Sequence, residues 1–380
     1  MKQGWEYKKL LDECSILYGY PFDSKCFSTS VEDMPLIRIR DVKDGKTSTY
    51  FKGAYPKEYI IHKGDFLIGM DGEFNISPWQ SEDALLNQRV CKISTNSPSL
   101  IVRYVYRFLI KELKKIEDET PFVTVKHLSA KRLKQIDIPI PPLSEQQRIV
   151  EELDLLSSII EKKKEQLQEL DNLAQSIFYD MFGDPVTNEK GWEVKKIGEI
   201  GTVERGAGIS KKDFVEKGLP CIHYGQLHTI FGATTHEHKT CIPHDLLPKY
   251  KIAHFGDVVM AITSEDVEGS CKSTAWLGNY DIVVGSDAAI FHHNINGVYI
   301  SYYTQTKAFF NEKAKYANGF KVTHISTKEI EKIPIPLPPL SLQQQFASKI
   351  EAIEQQKGLI KQSIKEVETL FNSKMDYYFN

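Results

Sequence analysis

A proline run that ends in a helix start occurs twice in this chain. The copies are Ile138-Pro139-Ile140-Pro141-Pro142-Leu143-Ser144-Glu145-Gln146-Gln147 and Ile335-Pro336-Leu337-Pro338-Pro339-Leu340-Ser341-Leu342-Gln343-Gln344. Proline lacks an amide proton and fixes φ, so neither run can continue a helix and each closes an extended segment. Ser144 and Ser341, each followed three residues on by Gln, have the capping-box spacing of a helix N-terminus. Aligned without a gap, residues 127–147 and 324–344 are identical at 12 of 21 positions (a His, two Ser, a Lys, two Ile, three Pro, a Leu and two Gln). A chain that writes one junction twice is built from two copies of one unit.

Each junction leads into a heptad seam. In the first copy Ile149, Leu153, Leu156, Ile160, Lys163, Leu167, Leu170, Ala174, Ile177 and Met181 alternate four and three apart, and only Lys163 breaks the apolar stripe. In the second, Phe346, Ile350, Ile353, Lys357, Ile360, Ile364, Val367, Phe371, Lys374 and Tyr378 do the same, broken at Lys357 and Lys374. A stripe this narrow suits one partner helix, and the two copies are expected to partner each other as a coiled coil. The competing reading is two unrelated amphipathic core helices. Antiparallel pairing is required if the chain leaves one end of the pair and returns, and it sets Lys163 opposite Ile364, Lys357 opposite Leu170 and Lys374 opposite Leu153.

The repeat also has a beginning. Gly4-Trp5-Glu6-Tyr7-Lys8-Lys9-Leu10 is answered by Gly191-Trp192-Glu193-Val194-Lys195-Lys196-Ile197, just past Gly183 and Pro185, which end the first helix. The expected division is therefore a globular segment 1–143, a helix and its exit 144–190, a second globular segment 191–340, and a distal helix 341–380. Within the globular segments, Pro35–Val42 alternates with period two, which places Ile37 and Ile39 inward and Arg38 and Arg40 outward. Pro220–Leu227 is its counterpart. Gly64-Asp65 and Gly256-Asp257 each place a turn before an apolar strand, and 99–117 and 297–317 have helical patterning. The fold class expected is α+β: two mixed α/β domains, two long antiparallel helices, and an internal pseudo-two-fold repeat.

Frames repeat where loops do not. Met70–Asn75 and Thr263–Gly269 follow matching strands yet share almost no residues, the contrast expected of one scaffold carrying two readers of different targets. Charge is distributed to match. Net charge is −3, but 1–143 holds 22 basic against 19 acidic residues, 144–190 holds 5 against 11, 191–340 has 16 of each and 341–380 has 5 of each. If such a chain binds nucleic acid, the globular segments do it, and a partner supplies much of the phosphate neutralisation.

Other chemistries lack their motifs. The chain has no G-x-x-x-x-G-K-[ST] phosphate loop, and Gly206-Ala207-Gly208 lacks the third glycine of a dinucleotide site. It also has no Asp/Asn-Pro-Pro-aromatic tetrapeptide of an amino-methyltransferase. Asp65, Asp71 and Glu73 have no nuclease spacing. His236, His238, Cys241 and His244 are zinc-type ligands without the paired spacing of familiar sites, so no metal and no cofactor is expected. Six scattered cysteines, no signal-like apolar run near Met1 and no stretch approaching ~20 apolar residues point to a cytoplasmic chain without a membrane span.

Strand-face and loop logic nominates Arg38, Arg40, Lys43, Lys46, Asp71, Glu73, Asn75, Lys126, His223, Gln226, His228, Ser264, Lys272 and Lys321 as DNA-facing, since Arg pairs with guanine edges and Asn or Gln with adenine. His127 and His324 occupy equivalent positions before the proline runs. Each either fixes its turn by hydrogen bonds or contacts phosphate or base.

Taken together, the doubled P-P-L-S-x-Q-Q with its heptad helix, the doubled G-W-E-x-K-K-[L/I] and the Gly-Asp-strand-loop element resemble the specificity subunit of type I restriction-modification systems along the entire chain. The resemblance implies two target-recognition domains, one per repeat, each reading half of a split double-stranded DNA sequence, with the helices as a coiled-coil spacer. It implies a chain that is no enzyme by itself. Two adenine methyltransferase subunits using S-adenosylmethionine would dock around the helices, and motor-nuclease restriction subunits would join them. The second copy departs from the pattern at Leu342 and Gln345, where the first has Glu145 and Arg148. The alternative class is a coiled-coil scaffold with no direct DNA role, which near-neutral charge favours.

Overall fold

The computed structural model describes residues 4–121, 126–209, 211–244, 250–317 and 322–379. The chain divides into two compact units: one of residues up to Lys164 together with those from Gln362 onward, the other of Glu165–Lys361.

In the first unit the two repeat motifs are hydrogen-bonded partners. Strand Glu6–Lys9 pairs antiparallel with Asp137–Ile140, Tyr7 opposite Pro139. A two-stranded ribbon is where proline-bearing strands are tolerated, because each has a free edge for the missing donors. A four-stranded antiparallel sheet comes next, in the order Cys14–Tyr18, Val90–Thr95, Phe66–Gly69, Asn75–Pro78. A second, five-stranded sheet contains Met34–Ile37, which runs parallel to Ala84–Leu86. Helix Val102–Glu119 lays Tyr104, Val105, Phe108, Leu109 and Leu113 into a core shared with Leu10, Ile68, Leu128 and Ile138.

The second unit repeats this plan. Glu193–Lys196 pairs with Pro334–Leu337, Val194 opposite Pro336. Its larger sheet includes Gly201–Arg205, Ala288–His293, Val258–Ala261 and Ser273–Trp276 in hydrogen-bonded order, and Leu219–Ile222 runs parallel to Ile282–Val284 in the smaller one. The turn before the central strand is repeated as well. Gly64 and Gly256 have φ of +96° and +92°, a conformation glycine adopts without steric cost. The Asp65 and Asp257 carboxylates accept the amides of His62 and His254 at 2.8 and 2.7 Å. The 297–317 pattern forms two helices rather than one, Gly297–Tyr303 and Lys307–Lys313, because Thr306 caps the second by accepting the Phe309 amide.

The long helices span Leu143–Phe182 and Leu340–Phe379. Within each unit their segments run antiparallel. In the first, Lys374 Nζ lies 2.6 Å from Glu152 and Lys164 Nζ 3.5 Å from Glu368. In the second, Phe178 and Phe182 pack on Phe346. Seam burial is graded for a physical reason. Ile149, Leu153, Leu156, Phe346, Ile350, Ile353 and Ile364 are buried; all but Leu156 and Ile364 belong to a globular core as well as to the seam. Ile160, Leu167, Leu170, Ile177, Ile360, Val367 and Phe371 are half-buried, since contact with a single helix leaves flanks open. Lys357 is buried between Asp171 at 2.7 Å and Glu354 at 2.6 Å. Burial alone would lower its pKa, but the two carboxylates outweigh that and raise it.

The capping-box expectation is corrected. Each helix begins one residue before its serine, with the Pro142 and Pro339 carbonyls accepting the first helical amides, and Ser144 and Ser341 are exposed. The glutamine that matters is the earlier one of each pair. Gln146 is fully buried; its Nε2 donates to the Ser99 and Pro141 carbonyls, both at 2.8 Å, and its Oε1 accepts the Ile101 amide at 2.9 Å. Gln343 donates to the Pro338 carbonyl at 2.8 Å and accepts the Asn296 amide at 2.9 Å. One carboxamide thus fixes helix, proline turn and domain helix together. Gln146→Ala leaves these buried groups unpaired and is expected to destabilise the first unit by about 1–3 kcal/mol, measured by urea unfolding.

Candidate nucleic-acid interface

In both units the loop after the central strand is tied to the histidine-bearing segment before the proline run. Asp71 bridges His127 in the first, with Leu128 N donating to Met70 O at 2.7 Å and Gly72 N to Lys126 O at 2.9 Å. In the second, Thr263–Ser264 pairs antiparallel with Thr323–His324, Thr263 opposite His324. Both histidines hold their loop through the ring: His127 Nδ1 is 2.5 Å from Asp71 Oδ1, and His324 Nδ1 is 3.3 Å from Thr263 Oγ1. His127 keeps nearly half of its side-chain surface exposed, so fixing the loop does not preclude reaching a ligand.

The first loop sits among basic groups. Lys43 Nζ lies 2.8 Å from the Glu73 carboxylate and Arg89 Nε 3.4 Å from Asp71 Oδ2. The Lys43–Glu73 pair is well exposed on both sides, so opening it for a phosphate costs little. Arg38 and Lys46 are exposed, and Arg40, also exposed, reaches Thr49 Oγ1 at 3.4 Å. Arg89, with φ of +75°, was not marked by any sequence motif; its only sequence signal is its place in the Asn87-Gln88-Arg89 turn that enters a strand.

Several nominated residues are placed otherwise than their patterns suggested. The alternating strand stops at Ile37, and Ile39–Asp41 forms a short 3-10 turn. Asp41 ends the strand by accepting the Arg38 amide at 2.8 Å. In the second unit Gln226 does the same for the His223 amide at 2.9 Å. His223 and Gln226 are buried, and burial lowers the His223 pKa, so both are internal caps rather than exposed contacts. Asn75 turns back, donating to the Glu73 carbonyl at 2.9 Å. Lys126 Nζ donates to the Glu117 carbonyl at 2.5 Å.

Around the second loop His228 Nε2 lies 3.2 Å from the Thr263 carbonyl, and exposed Lys272 donates to the His228 carbonyl at 3.0 Å. Half-buried Ser264 stands on the tied strand. Lys321 lies outside the described residues. His228, Ser264 and Lys272, with neighbouring residues of the 263–273 loop, line a cleft of about 1090 Å³, with Tyr224 and Phe310 among its walls. Among the described residues, no group of three or more His, Cys, Asp or Glu is arranged to hold a metal ion; His238 of the zinc-type set is hydrogen-bonded to the Tyr280 hydroxyl at 2.6 Å.

Two loops on one frame, each tied at the same place, match a family built from paired domains. The profile of the type I restriction modification DNA specificity domain matches residues 2–172 and again 189–369. The chain belongs to that family. The EcoBI specificity subunit of Escherichia coli is 39% identical over 188 residues, 48% of this chain and 40% of that subunit's length. The MjaVIII specificity subunit of Methanocaldococcus jannaschii is 24% identical over 364 residues, 90% of this chain and 83% of its own. The fold is shared with the S subunit from M. genitalium, at TM-score 0.55 and 13% identity, covering 98% of this chain and 95% of that one. A chain from a type I R-M system, solved in work on complex assembly and conformational transition, gives TM-score 0.52 at 19% identity, covering 100% and 98%. Specificity-family chains are the non-catalytic members of these enzymes. Among the described residues, no helix is long and apolar enough to cross a membrane.

Proposed function

We propose that this chain reads a two-part sequence in double-stranded DNA, one half per unit, and carries that address to two adenine methyltransferase subunits and to motor-nuclease restriction subunits in the cytoplasm. The observation that carries the reading is the pair of equivalent ties, Asp71 to His127 and Thr263 to His324, under loops of unrelated sequence. A frame that holds two different loops in one pose is what independent recognition of two half-sites requires. The exposed bases, Arg38, Arg40, Lys43, Lys46 and Arg89 in one unit and Lys272 in the other, supply phosphate or base contacts. The antiparallel helices are the spacer, and their solvent-facing apolar residues, Leu155, Leu173, Leu359 and Leu370, are offered to the methyltransferases.

Charge sets the expected affinity. With +3 on 1–143 and zero on 191–340, the chain alone neutralises few phosphates, and phosphate contacts dominate binding. The lone chain should bind its target weakly and with a shallow salt slope, and tightly once the methyltransferase is present. Titrating labelled DNA at several salt concentrations, with and without the partner, measures this. Nanomolar sequence-specific binding by the lone chain at physiological salt would contradict it.

A further inference from the structure

Each reading loop is held from below by the domain helix, through one side chain of opposite charge in the two units. In the second unit Lys313, the last residue of helix Lys307–Lys313, is only 4% exposed. Its Nζ donates to the Glu268 carbonyl at 2.8 Å and the Ser270 carbonyl at 2.5 Å. Among the described residues, no backbone amide donates to either carbonyl. The next residue, Cys271, is buried at φ +57°, a left-handed conformation that costs a non-glycine residue energy and persists only when its surroundings hold it. A buried ammonium needs acceptors, and here it finds them in the floor of the loop that carries Ser264 and Lys272. In the first unit the last turn of helix Val102–Glu119 supplies Glu117, whose carboxylate accepts the Phe74 amide at 3.3 Å while its carbonyl accepts from Lys126. Phe74 is buried in the middle of the 70–75 loop.

We propose that Lys313 and Glu117 are the positioning residues of the two half-sites: neither touches DNA, and each sets the height and rigidity of the loop above it. The inference rests on the two-half reading proposed above. Base-edge hydrogen bonds are made or lost over fractions of an ångström, so a loop released from its floor should lose discrimination in its own half of the target and leave the other half unaffected.

The test is genome-wide adenine-methylation sequencing in cells that carry the full chain with its methyltransferase partner. Lys313→Met keeps an unbranched side chain one atom shorter and removes the donors. It should raise methylation of sites mismatched in the second unit's half about tenfold or more relative to matched sites, the scale of a single mismatch penalty, with the first half unchanged. Glu117→Leu should do the converse. Lys313→Arg and Glu117→Gln, which keep a donor and an acceptor, should restore most of the discrimination. Should Lys313→Met leave no folded protein, Glu117→Leu carries the test on the first half alone. Unchanged specificity, or equal loss in both halves, would overturn the positioning role. A wild-type methylome without a two-part motif would instead overturn the underlying reading, and this role with it.

Discussion

Replacing residues 191–340 with the corresponding segment of another specificity chain will change one half of the methylated sequence completely and leave the other half as it was. The reason is structural. Strand pairs Glu6–Lys9 with Asp137–Ile140 and Glu193–Lys196 with Pro334–Leu337 close each globular segment on itself, and each has its own core. The anchors at the graft point are equally local: Gln343 bonds to Pro338 and Asn296, as Gln146 does to Pro141, Ser99 and Ile101. A graft that retains the Pro338-Pro339 turn and a helix start whose backbone amide at position 296 reaches Gln343 should therefore fold. Since each correct base pair contributes about 1–3 kcal/mol of discrimination, several replaced contacts shift preference for that half by orders of magnitude. Methylome sequencing of the chimera is the readout, and a change in both halves would refute independent reading.

Lengthening the helices should move the half-sites apart without altering either. At 1.5 Å per residue, a helix of about 40 residues reaches ~60 Å, and one added heptad extends it ~10 Å, close to three base pairs at ~3.4 Å each. The insertion must be made in both helices at facing layers. Lys163 and Ile364 are such a pair by the antiparallel register, supported in the first unit by the Lys164–Glu368 and Glu152–Lys374 ion pairs. A whole heptad keeps the seam in phase, whereas four or five residues would rotate it away. Three base pairs also turn the second half-site by about 100°, so the double insertion should methylate its longer target less efficiently than the parent. An unchanged gap in an active variant would show that the helices do not set it.

How much of this was legible in the sequence depends on whether a residue's role is repeated. The proline junctions, the Gly-Trp-Glu starts, the Gly-Asp turns and the seam all occur twice, and repetition separated them from chance. Local patterning was less reliable. Pro35–Val42 alternates like a strand, but the Asp41 carboxylate captures the Arg38 amide and ends the strand at Ile37; a side-chain cap outweighed the hydrophobic period. The same event, with Gln226 in place of Asp41, turned His223 and Gln226 inward. Ser144 and Gln147 had the spacing of a capping box, yet the cap is the Pro142 carbonyl and the anchor is Gln146. Spacing cannot say which of two adjacent glutamines faces the domain; the burial of Ile149 and Val150 beside it does. Arg89, Glu117 and Lys313 could not be picked from the sequence, because their importance comes from loops brought to them by the fold.

The central claim is that one chain supplies a two-part address. It is tested most directly by mapping methylated adenines across the genome of cells expressing the chain with its methyltransferase partner, and of the same cells lacking the chain. The account predicts one split motif, two short specific halves separated by a gap of constant length, that disappears entirely when the chain is absent. A single uninterrupted motif, or methylation that persists without the chain, would contradict it.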